Sequence, residues 1–373
     1  MKTIRMPSTK QQQRLTNQFK QQLHLNRARA KGMCLFIAAL IRARTVNLSE
    51  VAVAMATNAS TESNYKRLQR FLKEVVIDPD AFARLMGQLI PVDDKWVLTL
   101  DRTNWKFGKT NINILLLGVA CNGASFPLMF RILAKQGNSN TRERIELISR
   151  FLALFGADKI QSLTADREFI GKDWFQWLVA NDIPFVIRIR ENFSTSSAGG
   201  NRIKAKDLFK GLSRRGSWKI RKKRHLCGAS LHLFGRKSRK GELLILASNV
   251  SLQDIREEYR HRWTIETLFG FLKTKGFNLE STHVTKPGRL MNLMMVLSLA
   301  FSWCYLVGQK ASNAKPLQNK KHGRKVCSLF RFGLDLLRRA LLGTDGRMGS
   351  FEISKYFRIL TGCHQQRPTM TPG

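Results

Sequence analysis

The chain has 373 residues, enough for two or three domains with sizeable cores. A hydrophobic share of 43% indicates a globular protein and excludes a wholly disordered chain, and 64 lysines and arginines against 26 acids leave a formal charge of +38. A compact fold carrying that charge repels itself, so a polyanionic partner is the economical explanation, nucleic acid first and an anionic membrane second.

Residues 1–31 are polar and basic throughout, with no secretory signal, and 9–86 read as helices. NLSEVAVAMA (47–56) starts on an Asn cap with Glu50 at the third helical position. TESNYKRLQRFLKE (61–74) follows after a short polar break. In this second helix Leu68, Phe71 and Leu72 can face inward while Lys66, Arg70 and Lys73 line another side. The pair resembles a helix-turn-helix with a basic recognition face, and reads equally well as a helical hairpin with solvated charges.

The pattern changes at residue 96. WVLTLD (96–101), TNINILLLGVACNG (110–123) and SFPLMFRILA (125–134) are strand candidates, with RTNWKFGK as the loop after the first. A helix (140–156), a strand (160–166), a helix (172–182) and a strand (184–191) follow. Three meandering strands and then strand–helix alternation indicate an α/β fold, a mixed sheet covered by helices.

Residues 192–250 interrupt that rhythm with a polar loop and short alternating runs, closed by ELLILASNV. Within 201–240, 15 lysines and arginines face one acid, Asp207, a net of +14. Interleaved with β-like apolar residues, this reads as a small antiparallel insertion presenting a phosphate-binding surface. LMNLMMVLSLAFSWCYLV (290–307) is about long enough to span a bilayer, and reads better as a buried helix with Asn292, Ser298 and Ser302 as internal polar groups. A basic linker past 308, an amphipathic helix around 326–342 and a disordered tail, QQRPTMTPG, complete the chain. The six cysteines are scattered, with no pairing or zinc spacing, as expected of reduced thiols in a cytosolic protein.

Chemistry at phosphodiesters needs clustered carboxylates to hold two Mg²⁺ or Mn²⁺ ions, and this chain has few acids to choose from. Asp101 ends the first strand and Asp166 ends the strand at 160–166; each also reads as a turn Asp bonding its own loop. The third candidate lies in EEYRHRWTIETLFGFLK (257–273). Projected as one helix, Tyr259, Arg262, Glu266 and Lys273 share a stripe roughly 60° wide, with Gly270 on it and Ile265, Leu268 and Leu272 opposite. Arg262 can grip a phosphate bidentately, Lys273 is a point-charge contact, and Trp263 can stack on an exposed base or pack in a core. The plainer reading of Glu266 is a surface pair with Arg262.

Tyr259, Arg262, Glu266 and Lys273 reproduce the spacing Y-x2-R-x3-E-x6-K, and DRTNW (101–105) and DREF (166–169) accompany them. In these motifs, from about residue 30 to about 310, the chain resembles bacterial insertion-sequence transposases of the DDE class, the hairpin-forming cut-and-paste group. The resemblance implies an RNase H-like catalytic core whose acids are Asp101, Asp166 and Glu266, interrupted by a β-rich insertion and preceded by a helical DNA-binding domain. It implies phosphate contacts from Tyr259 and Arg262, a DNA contact from Lys273, and a tryptophan stacking on a flipped base, for which Trp218 lies in a plausible segment. Arg102, directly after the first acid, receives no role from it.

The implied domains are 1–90 (helical, DNA-binding), 91–191 (first part of the core), 192–250 (insertion), 251–310 (second part of the core) and 311–373 (linker, helix and tail). The expected partners are double-stranded DNA, as terminal inverted repeats and target, and a second copy of the chain, in the bacterial cytoplasm and on the nucleoid when bound; no membrane is expected. Two other functions fit the residues. One is a metal-dependent nuclease or resolvase without strand transfer, and the other a catalytically inactive DNA-binding repressor.

Overall fold

The computed structural model describes residues 10–92, 94–251, 253–321, 323–343, 355–356 and 358–360. The tail expected to be disordered, 365–373, lies outside the described residues. Contacts group the chain into two units, one of 92–104 with 113–267, the other of the described parts of 1–91, 105–112 and 268–373.

The second unit is mainly helical. It opens with α1 (Lys10–Gln22), α2 (Arg27–Ala43), α3 (Leu48–Ala54), α4 (Thr61–Glu74) and α5 (Pro79–Leu89). Asn47 caps α3 by accepting from the Ser49 backbone N–H, and Ser60 caps α4 by accepting from that of Ser63. Buried Asn64 ties the two helices, accepting from Thr57 Oγ1 at 2.7 Å and donating to the Ala52 carbonyl. Leu68, Phe71 and Leu72 are buried, as their spacing predicts.

The first unit holds the sheet core. Its strands begin with β1 (Trp96–Phe107), β2 (Thr110–Cys121) and β3 (Ala124–Ile132). Then come α6 (Thr141–Phe155), β4 (Ile160–Ala165), α7 (Lys172–Ala180) and β5 (Phe185–Ile189). Residues 192–250 add β6 (Ser194–Ser196), β7 (Arg202–Lys204), β8 (Ser217–Lys219), β9 (Arg224–Leu226), β10 (Ala229–Lys237) and β11 (Leu243–Ser248). The sheet order is β3-β2-β1-β4-β5-β11-β10-β9-β6-β7, with β8 on β10. β1 with β4 and β4 with β5 are parallel; β2 with β3 and β5 with β11 are antiparallel. The mixed sheet expected from the sequence is present, and through β11 it runs on into residues 192–250.

One strand differs from its expectation. Residues 102–107 continue β1 instead of forming a loop, and the chain reverses only at Gly108, whose φ of +55° a side chain would disfavour. Alternation explains the extension, because Thr103 and Trp105 are buried while Asn104 and Lys106 are exposed. Asp101 therefore lies within a strand, not at its end.

Beyond the sheet the chain forms α8 (Ile255–Arg260), α9 (Trp263–Leu272), α10 (Pro287–Ala314) and α11 (Leu329–Leu342). α10 is long and apolar enough to cross a bilayer, but nearly all of that apolar length is buried. It packs on α2, α4, α5 and α11. Asn292 donates to the Leu72 and Val75 carbonyls at 3.1 and 2.7 Å, filling the open C-terminal end of α4. Gly308 and Gly333 let α10 and α11 touch backbone to backbone, where a Cβ on either would collide with the other helix. The sequence division at residue 90 thus differs from the grouping of contacts: α10 supplies the apolar face on which the early helices close.

Candidate active site

The parallel register of β1 and β4 sets the first pair of acids. Leu100 pairs with Ala165, so the next residues along the two neighbouring strands are Asp101 and Asp166. Asp101 accepts from the Arg102 backbone N–H at 2.7 Å. Asp166 Oδ1 is buried and has no hydrogen-bond partner among the described residues, a costly state for a carboxylate that holds no cation.

Arg262 and Glu266 come from the α8–α9 junction. The uninterrupted helix expected over 257–273 is broken there, since His261 and Arg262 form a turn. The Arg262 and Thr264 amides reach back three residues, to Tyr259 and His261, instead of four. Three members of the stripe nonetheless stay together, with Arg262 5.9 Å from the Tyr259 ring centroid and paired with Glu266, while Lys273 pairs with Glu280. Tyr259 is buried with Val186, Leu246 and Ile255, so its ring belongs to a core and not to an exposed face. The i,i+4 pair of Arg262 with Glu266 is present, with Glu266 half exposed but Arg262 itself only 6% exposed. Its Nη1 lies 3.8 Å from Asp101 and its Nη2 2.5 Å from Glu266. Trp263 is 51% exposed, with Arg262 5.8 Å from its ring centroid. Ile265, Leu268 and Leu272 are fully buried, as the apolar side of the projection requires.

A chain of hydroxyls fixes the start of α9. Thr99 on β1 meets Ser125 on β3 at 2.7 Å, Ser125 meets Thr264 at 2.7 Å, and Thr264 donates to the His261 carbonyl. The turn carrying Arg262 is thereby held to the strand carrying Asp101.

Burial pushes the Asp101 carboxyl up to about 7, opposed by the Arg102 amide and the Arg262 guanidinium and reinforced by Glu168 and Asp166. Burial works against the charge on Arg262, but Tyr259, Glu266 and Asp166 outweigh it and its pKa is raised. Burial also pushes the Tyr259 phenol up. Among the described residues no three His, Cys, Asp or Glu side chains gather closely enough to hold a metal ion. Instead Arg262 acts as the internal cation for Asp101 and Glu266. The carboxylate oxygens and the orphaned Asp166 Oδ1 are the donor type a hard divalent ion takes, and in this arrangement Arg262 occupies the place between Asp101 and Glu266.

The remaining candidates lie elsewhere. Lys273 pairs with Glu280 at 2.7 Å and sits over the Trp105 ring. Trp218, on β8, is 39% exposed and packs beside Phe209. Lys66, Arg70 and Lys73 line a groove of about 570 Å³ with Gln69, Glu74 and Arg289. Arg289 was not legible as part of that surface, because it arrives from α10.

Residues 89–303 match the family model for the transposase DDE domain. No curated protein matches the chain. The matched span contains Asp101, Asp166, Arg262 and Glu266.

Proposed function

The chain belongs to the transposase DDE domain family, and from that premise we propose that it excises and inserts its own insertion sequence by a cut-and-paste route. Asp101, Asp166 and Glu266 are the acids of the site. The observation that carries this reading is the Arg262 guanidinium bridging Asp101 and Glu266, with Asp166 next in register to Asp101. The sheet order β3-β2-β1-β4-β5, with β1, β4 and β5 parallel, supports an RNase H-like core.

Two Mg²⁺ or Mn²⁺ ions held by those carboxylates would supply Lewis-acid charge at the phosphodiester and lower the pKa of the attacking water. Asp101 and Asp166 hold their places through strand register, and Glu266 through the pinned start of α9. Arg262, released from the acids, grips a phosphate with its planar fork. Trp263 offers an exposed ring beside it for an unstacked base. Hydrolysis of one strand leaves a 3′-OH that attacks the opposite strand, closing a hairpin; after the hairpin is opened, the same hydroxyl attacks target DNA. Each step is an in-line displacement at phosphorus, so one site serves all of them.

The groove of Lys66, Arg70, Lys73 and Arg289 and the basic strands of 201–240 are the DNA-binding surfaces, with Lys273 and Trp218 as further contacts. Pairing two element ends calls for a dimer on DNA. The deciding experiment supplies the purified chain with pre-cleaved terminal repeats, a target plasmid and Mg²⁺. Joined products are expected; degradation without joining would leave a nuclease, and no reaction a DNA-binding repressor.

A further inference from the structure

Arg102 follows Asp101 on β1, where alternation turns its side chain to the opposite face of the sheet. Its side chain is only 11% exposed, yet its donors are matched. Nε and Nη2 take the two oxygens of Glu168 at 3.3 Å each, Nη1 donates to Asn113 at 3.1 Å, and Nη2 also donates to Asn138 at 3.0 Å. Asn113 in turn donates to the Lys135 and Gly137 carbonyls, ordering the loop beyond β3.

Glu168 belongs to the turn that begins at Asp166, closed by the Phe169 amide on the Asp166 carbonyl at 2.9 Å. Arg144, buried, holds the same turn by donating to the Glu168 carbonyl at 3.1 Å and lying over the Phe169 ring. Arg102 is thus tied to both strand-borne acids. Its backbone N–H binds the Asp101 carboxylate, and its guanidinium binds the turn that Asp166 opens.

We propose that Arg102 is a positioning residue that clamps the Asp166 turn to the Asp101 strand, presetting the two carboxylates for a shared divalent ion. The inference rests on the proposed metal site. Parallel register brings Asp101 beside the end of β4, but Asp166 stands past the last paired residue of β4, in the turn closed by the Phe169 amide. The clamp also keeps Glu168 engaged with protein, so that it does not compete for the ion. A planar, bidentate fork is needed, and an ammonium cannot replace it. Outer contacts of this kind typically change metal affinity about 10- to 100-fold.

The test measures Mn²⁺ binding to the full chain by titration calorimetry, below the melting temperature of each variant, with affinity for terminal-repeat DNA measured in metal-free buffer. Arg102→Lys and Glu168→Gln, both conservative in shape, should each weaken Mn²⁺ binding about tenfold or more while DNA affinity stays within about twofold. The double variant should be little worse than either single one, because the two act as a pair. Wild-type Mn²⁺ uptake with equal uptake in both single variants would overturn this inference alone. A wild-type chain that takes up no Mn²⁺ would overturn the metal reading and this inference with it.

Discussion

Asp101 and Arg262 stand 3.8 Å apart although everything from β2 to α8 separates them in sequence. Arg262 also holds Glu266, so one buried guanidinium links an acid on a strand to an acid on a helix. A buried cation with two carboxylate partners is a structural element of the site as well as the proposed DNA contact, and substitutions there have effects that can be told apart.

Arg262→Ala should bind terminal-repeat DNA but nick it about 10²-fold more slowly and stall before the hairpin, since a positioning contact is lost. Arg262→Lys should recover only part of the rate, lacking the fork. A denaturing gel shows the nicked species accumulate. Wild-type rates of nicking, hairpin formation and joining in Arg262→Ala would refute the role.

Glu266→Gln should keep DNA-end affinity and lose first-strand nicking, because the amide preserves shape without the charge a divalent ion needs. Binding by gel shift and nicking by denaturing gel separate the two effects. Nicking at the wild-type rate would remove Glu266 from the acids.

Asp101 gives a pH prediction. Its pKa in the fold is raised to about 7, above the ordinary carboxylate range. The folded state therefore holds a proton that the unfolded chain releases, so this group's contribution to stability falls as pH rises from about 4 to about 7. The slope is at most about 1.4 kcal/mol per pH unit. In EDTA, the melting temperature of Asp101→Asn should exceed that of the wild type by a margin that grows across this window and is constant above it. Adding Mn²⁺ at pH 8 should raise the wild-type melting temperature and leave the variant unmoved. Parallel pH curves for the two proteins would contradict the burial of this charge.

The α4 groove predicts salt behaviour. Affinity for DNA should fall steeply with salt, with a log–log slope of about −0.9 per phosphate neutralised. Replacing Arg70 or Arg289 by Ala should flatten that slope by about one phosphate's worth each, whatever the DNA sequence. A slope unchanged in both variants would move the DNA elsewhere on the surface.

Much of this protein was readable from the chain alone. The net charge, the scarcity of acids and the motif around Glu266 identified the partner class, the family and the residues to watch, because charge and motif spacing are written directly in sequence. The apolar periods located most helices and strands, since burial on one face leaves a regular trace. The short alternating run past Asp101 did not by itself distinguish a strand from a polar loop, because its partner β2 is known only from the folded sheet. Nor could periodicity show the break at His261 and Arg262, since a helical projection assumes the continuity it is used to test. Tyr259 is buried against β5 and β11, and Arg262 at the break reaches Asp101. The Arg102–Glu168 clamp, the hydroxyl chain from Thr99 to Thr264 and the arrival of Arg289 beside α4 likewise join residues remote in sequence. Such contacts depend on register and packing across elements, which only the folded chain sets.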